Sequence, residues 1–139
     1  MNSSCVAESV AILGNHTPRQ CGIATFTADL ANAVQALNAS LRCSVVAIND
    51  EGGSYDYPER VAHEIPEANL ASYRRAADYL NERDFSVLSL QHDYDIFGGP
   101  AGAHVLTLLR DLRLPVVTTL HTILANPSPA QRVVMDELC

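Results

Sequence analysis

A chain of 139 residues is long enough for one domain with a substantial hydrophobic core. Its net charge of −7 excludes the basic surface that nucleic acids or anionic lipids require, and its 47% apolar content is typical of a globular protein. The four cysteines form no CxxC pair and match no usual zinc spacing, which favours a reducing, cytoplasmic compartment. The N-terminal segment Met1–Ser4 lacks the basic residues of a signal peptide, and we expect no membrane span.

The first half of the chain predicts strands that alternate with helices. Short apolar runs predict strands at Ser9–Gly14, Cys43–Ile48 and, as an edge strand, Val61–Ile65. Between the first two strands we expect a helix that begins near Ile23 and buries one apolar face, made of Phe26, Leu30, Val34, Leu37 and Leu41. Asn69 has a side chain suited to cap a second helix.

The second half repeats this alternation. The β-branched and leucine-rich runs at Val87–Gln91 and Val116–Leu120 predict two further strands. Gly98–Pro100 is expected to open the helix between them, because proline is favoured in a first helical turn. Ser128–Gln131 has the capping-box pattern that begins a last helix.

This order of elements predicts an α/β fold, a Rossmann-like three-layer α/β/α domain with a mostly parallel sheet. In the commonest topology the first strand lies beside Val87–Gln91, and Val116–Leu120 lies next to that strand. His16, His92 and His121 each follow the carboxyl end of one of these three strands. We therefore expect the three imidazoles to line one edge of the sheet, where α/β proteins bind their ligands.

Three interpretations of this edge are open. Histidine and carboxylate side chains such as Asp95 suit a metal ion, although here they would come singly from separate loops. They also suit hydrogen bonding or acid–base work on a polar ligand. The third interpretation is purely structural, with imidazoles that end strands and bond to the backbone. Neither G-x-G-x-x-G nor GK[ST] is present, but Gly22 and Gly98–Gly99 precede helices whose N-termini attract anions.

Cys21 is the most suggestive thiol, because it precedes a helix start where a thiolate is favoured, although its position favours the interpretation as a small packed residue. No Ser–His–Asp order or nucleophile elbow is found in the sequence.

Three segments carry a resemblance to a known family: Pro18–Leu30 (PRQCGIATFTADL), Gln91–Gly102 (QHDYDIFGGPAG) and Pro115–Gln131 (PVVTTLHTILANPSPAQ). Together they resemble the amino-terminal domain of retaining GT-B glycosyltransferases of family four, in its bacterial members with a CGIATFT-type first loop. The resemblance implies that residues 1–139 are an acceptor-side Rossmann-like domain, a fragment without the C-terminal donor domain. The whole enzyme would move a sugar from a nucleotide-sugar donor to a carbohydrate acceptor, and this segment alone would be inactive.

The resemblance also implies roles for individual residues. His121 matches the catalytic strand-end histidine that faces the transferred sugar, and Gly22 matches the first-loop glycine near the donor phosphates. The acceptor side would comprise five residues: His16, His92, Asp95, Gly98 and Gly99. No cofactor or metal is expected, because the nucleotide-sugar is a substrate and the leaving phosphate assists the reaction.

Two alternatives to this hypothesis remain. One is a non-catalytic Rossmann-like module that binds a sugar or a nucleotide. The other is a small metal-assisted hydrolase that uses the three strand-end histidines.

Overall fold

The computed structural model describes residues 7–139, so the expectations for Met1–Ser4 and for Cys5 lie outside the described residues. Five strands form one sheet: β1 (Ser9–Gly14), β2 (Arg42–Asn49), β3 (Val61–Pro66), β4 (Val87–His92) and β5 (Val116–Leu120). The helices are α1 (Gly22–Leu37), α2 (Leu70–Asn81), α3 (His104–Asp111) and α4 (Pro129–Leu138), with a short 3-10 turn at Pro100–Gly102.

The sheet has the strand order β3-β2-β1-β4-β5, and every neighbouring pair is parallel. The prediction of an α/β Rossmann-like domain is therefore confirmed, as is the placement of β1 beside β4 and of β4 beside β5. None of the helices in residues 7–139 is both long and apolar enough to cross a membrane.

Alternate residues of each strand point to opposite faces of the sheet, and the two faces are covered differently. The larger core lies under α2, α3 and α4, where Leu13, Val46 and Leu90 from the strands meet Tyr73, Val105 and Val134 from the helices. The smaller core lies under α1, where Ala31 meets Ile12 and Val45. The domain therefore has three layers, and within residues 7–139 three helices cover one face of the sheet while α1 covers the other.

The predicted capping residues occupy their expected positions. The Asn69 side chain accepts a hydrogen bond from the amide of Ser72 at the start of α2. At α4 the Ser128 hydroxyl accepts from the Gln131 amide, and the Gln131 side chain accepts from the Ser128 amide, which completes the capping box. Gly98–Pro100, by contrast, leads first into the 3-10 turn, and α3 begins only at His104.

The predicted apolar face of α1 is wrong in part. Its fully buried residues are small, namely Ala24, Thr27 and Ala31. Leu37 is exposed at the end of the helix, and Leu41 lies beyond it. Phe26 is 44% exposed and is turned towards the carboxyl edge of the sheet. Small residues allow α1 to lie close to β1 and β2, which leaves the bulky ones at the margin of the contact.

Candidate functional site

The carboxyl ends of β1, β4 and β5 are adjacent, so the residues that follow these strands lie along one edge of the sheet. The amide of His121 donates a hydrogen bond of 2.9 Å to the carbonyl oxygen of His92, which extends the β4–β5 pairing past the strand ends. This common edge is the candidate functional site, and the side chains along it differ sharply in depth.

His92 lies beneath the edge rather than on it. Its side chain is fully buried, stacked on the ring of Phe97 and in edge contact with the ring of Tyr94. Neither ring nitrogen has a hydrogen-bond partner among the described residues. Burial lowers the pKa of His92 and the proximity of His121 acts in the same direction, while Asp93 opposes them. Burial therefore favours the neutral form of the ring, which lies in the core below the edge that it was expected to line.

His16 is also buried, with only 2% of its surface exposed. Its Nδ1 lies 2.6 Å from the carbonyl oxygen of Thr17, which assigns the ring proton to Nδ1. Its Nε2 is buried and has no hydrogen-bond partner in the described part of the chain, and the ring of Tyr57 packs edge-on against the imidazole. Of the three imidazoles expected to line the edge, His16 and His92 are thus buried beneath it, and their contact with an acceptor stays a prediction.

His121 is the strand-end histidine that the structure leaves half-buried. Its Nε2 lies 2.8 Å from Oε1 of Gln91, and the amide nitrogen of Gln91 donates to Oγ of Ser89 at 3.0 Å. The ring of Phe26 meets the imidazole edge-on, with 4.7 Å between the ring centroids. Phe26 therefore packs against His121 and not against the strands beneath α1.

The loops after β4 and β5 are tied together by Asp93. One oxygen of its carboxylate accepts from Oγ1 of Thr122 at 2.6 Å, and the other accepts from the amide of Asp95 at 3.0 Å. The Asp95 side chain itself is exposed and projects from the edge. The interaction of Asp95 with an acceptor stays a prediction.

Gly98 and Gly99 have a clear packing role. A Cβ on Gly98 would overlap the carbonyl oxygen of Glu67 and would lie 2.7 Å from Nδ1 of His104. Gly99 has a φ of +81°, a conformation that favours glycine, and a Cβ there would lie 2.8 Å from Nε2 of His104. The turn can therefore pack against the β3–α2 connection at Gly98 and against His104 of α3 at both glycines only because neither residue has a side chain.

Gly22, in contrast, is exposed, and no atom lies within 4 Å of the position that a Cβ would take. The α1 N-terminus is capped by Cys21, whose Sγ accepts from the amide of Ala24 at 3.3 Å and from the side-chain amide of Asn15 at 3.2 Å. Cys21 is thus a capping residue. Among residues 7–139 the amides of Gly22 and Ile23 have no partner, so this helix start remains open to an anion.

Sequence reasoning missed several polar residues near this edge. Arg19 donates to the carbonyl oxygen of Ile48 at 3.0 Å and to Oδ1 of Asn15 at 3.2 Å, and its Nε lies 3.8 Å from a carboxylate oxygen of Asp50. Tyr57 donates to Oδ1 of Asn49 at 2.6 Å, and burial raises the pKa of Tyr57 to about 12. Arg19, a charged residue in the loop after β1, could have been recognised from the sequence as a candidate. The contact of Tyr57 could not, because it depends on the conformation of the loop between β2 and β3.

Two depressions flank the edge. One has a volume of about 470 Å³ and lies at the ends of β2 and β3, with walls formed mainly by Asp50–Gly53 and Pro66–Asn69. The other has a volume of about 210 Å³ and is lined by Tyr94, Leu120, Ile123, Leu124, Pro127, Arg132, Met135 and Asp136. No group of three or more histidine, cysteine or carboxylate side chains within the described residues could hold a metal ion.

Comparisons with known proteins returned no matching family model, no matching curated protein and no matching solved structure.

Proposed function

We propose that this chain is the acceptor-side domain of a retaining glycosyltransferase that uses a nucleotide-sugar donor. One observation carries the proposal: Phe26, one turn into α1 beyond Gly22, contacts the half-buried ring of His121. An exposed helix start suited to phosphate therefore lies near an accessible imidazole suited to a sugar hydroxyl. The resemblance assigns Gly22, at this helix start, to the donor phosphates, and it assigns His121 to the transferred sugar.

The chemistry of the edge supports positioning rather than nucleophilic attack. The thiol of Cys21 accepts two hydrogen bonds as a helix cap, and the Asp93 carboxylate is held between Thr122 and the Asp95 amide. The helix start would stabilise the leaving phosphate, and His121 would orient the sugar. A second, C-terminal domain would supply the rest of the nucleotide site.

The burial of His16 and His92 reduces the set of residues that we propose to contact the acceptor. Their rings support the edge from below, and contact with an acceptor would fall to exposed groups such as Asp95. We place the cleft at the carboxyl ends of β4 and β5, with His121 as its central side chain.

The test is a screen of nucleotide-sugars with the longest protein that the gene encodes, comparing wild type with His121→Ala. The substitution removes the ring but retains the backbone amide that bonds to His92, so folding should be preserved. We expect turnover to fall by about 100-fold or more, as when a preorganised polar group is removed from an active site. His63→Gln is the matched control, because His63 stacks on Tyr79 of α2, away from the edge.

Near wild-type turnover in His121→Ala would remove His121 from the proposed role. Binding of a nucleotide or a sugar without any transfer would favour the alternative of a non-catalytic Rossmann-like module.

A further inference from the structure

The Gln91 side chain is fully buried at the carboxyl end of β4 and is the direct partner of the His121 ring. A buried side-chain amide is costly unless its polar atoms are hydrogen-bonded, and here both are. Its nitrogen donates to Oγ of Ser89 at 3.0 Å, and its oxygen lies 2.8 Å from Nε2 of His121.

The surrounding residues leave this amide little freedom. Ser89 and Gln91 lie on the same face of β4, since they are separated by two residues in the strand. A Cβ on Gly14 of β1 would lie 3.0 Å from Cβ of Gln91 and 3.1 Å from Oγ1 of Thr27. The absence of a side chain at Gly14 thus makes the space that Gln91 fills.

We propose that Gln91 is a positioning residue that holds His121 as the tautomer protonated on Nε2, with the lone pair of Nδ1 available to a ligand. A carboxamide oxygen can only accept, so the 2.8 Å contact requires the proton on Nε2. Nδ1 then carries no proton, and the bond through Nε2 is the only hydrogen bond of this ring among residues 7–139. The group that meets it must donate a hydrogen bond.

This assignment names the ligand chemistry that the site accepts. A hydroxyl group can donate to Nδ1, whereas a carbonyl or phosphate oxygen cannot. The identification of that hydroxyl as one on the transferred sugar rests on the proposed function, but the assignment of the tautomer does not. Phe26 packs edge-on against the ring, which further restricts its rotation.

The experiment is nuclear magnetic resonance of the 139-residue chain with ¹⁵N-labelled histidine, at about pH 9, where free histidine in water is neutral. We expect His121 to show a protonated Nε2 and an unprotonated Nδ1, with the Nε2 proton exchanging slowly with water and showing a cross-peak to Gln91. Gln91→Met removes the acceptor, so we expect that proton to exchange at least tenfold faster. Gln91→Glu restores an acceptor oxygen and should restore the protection.

Gln35→Met is the matched control, because Gln35 is exposed on α1. Ser89→Ala is the second variant, in case Gln91→Met does not fold. It removes the group that orients the amide, and we expect intermediate protection of the Nε2 proton. The proposal is refuted if His121 of the wild type carries its proton on Nδ1. It is also refuted if neither Gln91→Met nor Ser89→Ala changes exchange at Nε2.

The outcome is separable from that of the proposed function. A protected Nε2 proton together with no sugar transfer in the nucleotide-sugar screen would support the role of Gln91 and refute the proposal that the protein is a glycosyltransferase. Sugar transfer that depends on His121, together with a freely exchanging Nε2 proton, would retain the glycosyltransferase and refute the role of Gln91.

Discussion

Gly98 offers the sharpest test of how the loop after β4 is built. Gly98→Ala would place a methyl group 2.7 Å from Nδ1 of His104 and even closer to the carbonyl oxygen of Glu67. Carbon and oxygen atoms in weak contact lie about 3.3–3.6 Å apart, so the chain must move by roughly 1 Å or more to relieve the overlap with the Glu67 carbonyl oxygen. The amide of Gly98 also donates to the hydroxyl of Tyr73 at 3.1 Å, and that hydroxyl donates to Glu67 at 2.9 Å. Movement of the loop would therefore strain two hydrogen bonds as well.

Overpacking of a close-packed interior costs about 1–3 kcal/mol, and a clash with backbone belongs at the upper end of that range. With a urea dependence of about 2 kcal/mol per molar, we expect the urea midpoint of Gly98→Ala to fall by about 1–1.5 M. Gly22→Ala is the control, because no atom lies within 4 Å of its added methyl group. Its free energy of unfolding should stay within about 0.5 kcal/mol of wild type. Equal midpoints for Gly98→Ala and wild type would refute the packing role of the turn.

Two further predictions concern a buried imidazole and a helix cap. Burial lowers the pKa of His92 below the ordinary value of about 6.5, so below that pH the unfolded chain binds more protons than the folded chain. The free energy of unfolding should therefore be highest above about pH 6.5 and fall towards about pH 5, as measured by urea titrations across this range. If the free energy of unfolding of His92→Phe depends on pH as strongly as that of the wild type, the loss of stability does not come from His92. Cys21→Ala removes the side-chain acceptor at the start of α1 and should lower the free energy of unfolding by about 1 kcal/mol, whereas Cys21→Ser retains a cap. Similar urea unfolding curves for the two variants would show that the thiol does not stabilise the helix.

The sequence predicted the strands and their order well, because short β-branched runs separated by helical periodicity leave few topologies for a parallel sheet. It located the edge of the sheet near which His16, His92 and His121 lie, since each is the last residue of a strand or closely follows one. The depth of each side chain was not predicted. In β4, His92 shares its face with Leu88 and Leu90, and this alternation was a usable signal that His92 enters the core.

The error at α1 has a different physical origin. Large apolar residues were assigned to the buried face, but the contact with β1 and β2 is made by Ala24, Thr27 and Ala31. The distance between a helix and a sheet is a tertiary property, and a spacing of apolar residues does not encode it. The contact between Phe26 and His121 could not be anticipated for the same reason.

The crossover topology itself explains why His121 stays accessible while its neighbours are buried. The α1 connection covers β1 and β2 on one face, whereas α2 and α3 join the later strands on the opposite face. Over β4 and β5 the α1 side therefore carries no helix in residues 7–139, and Val117 on that side is 61% exposed. Gln91 and His121 lie at the boundary of the area that α1 covers, where Phe26 of α1 contacts the His121 ring. A ligand could approach an imidazole at this boundary from the open side, while Gln91 holds the ring from the closed side.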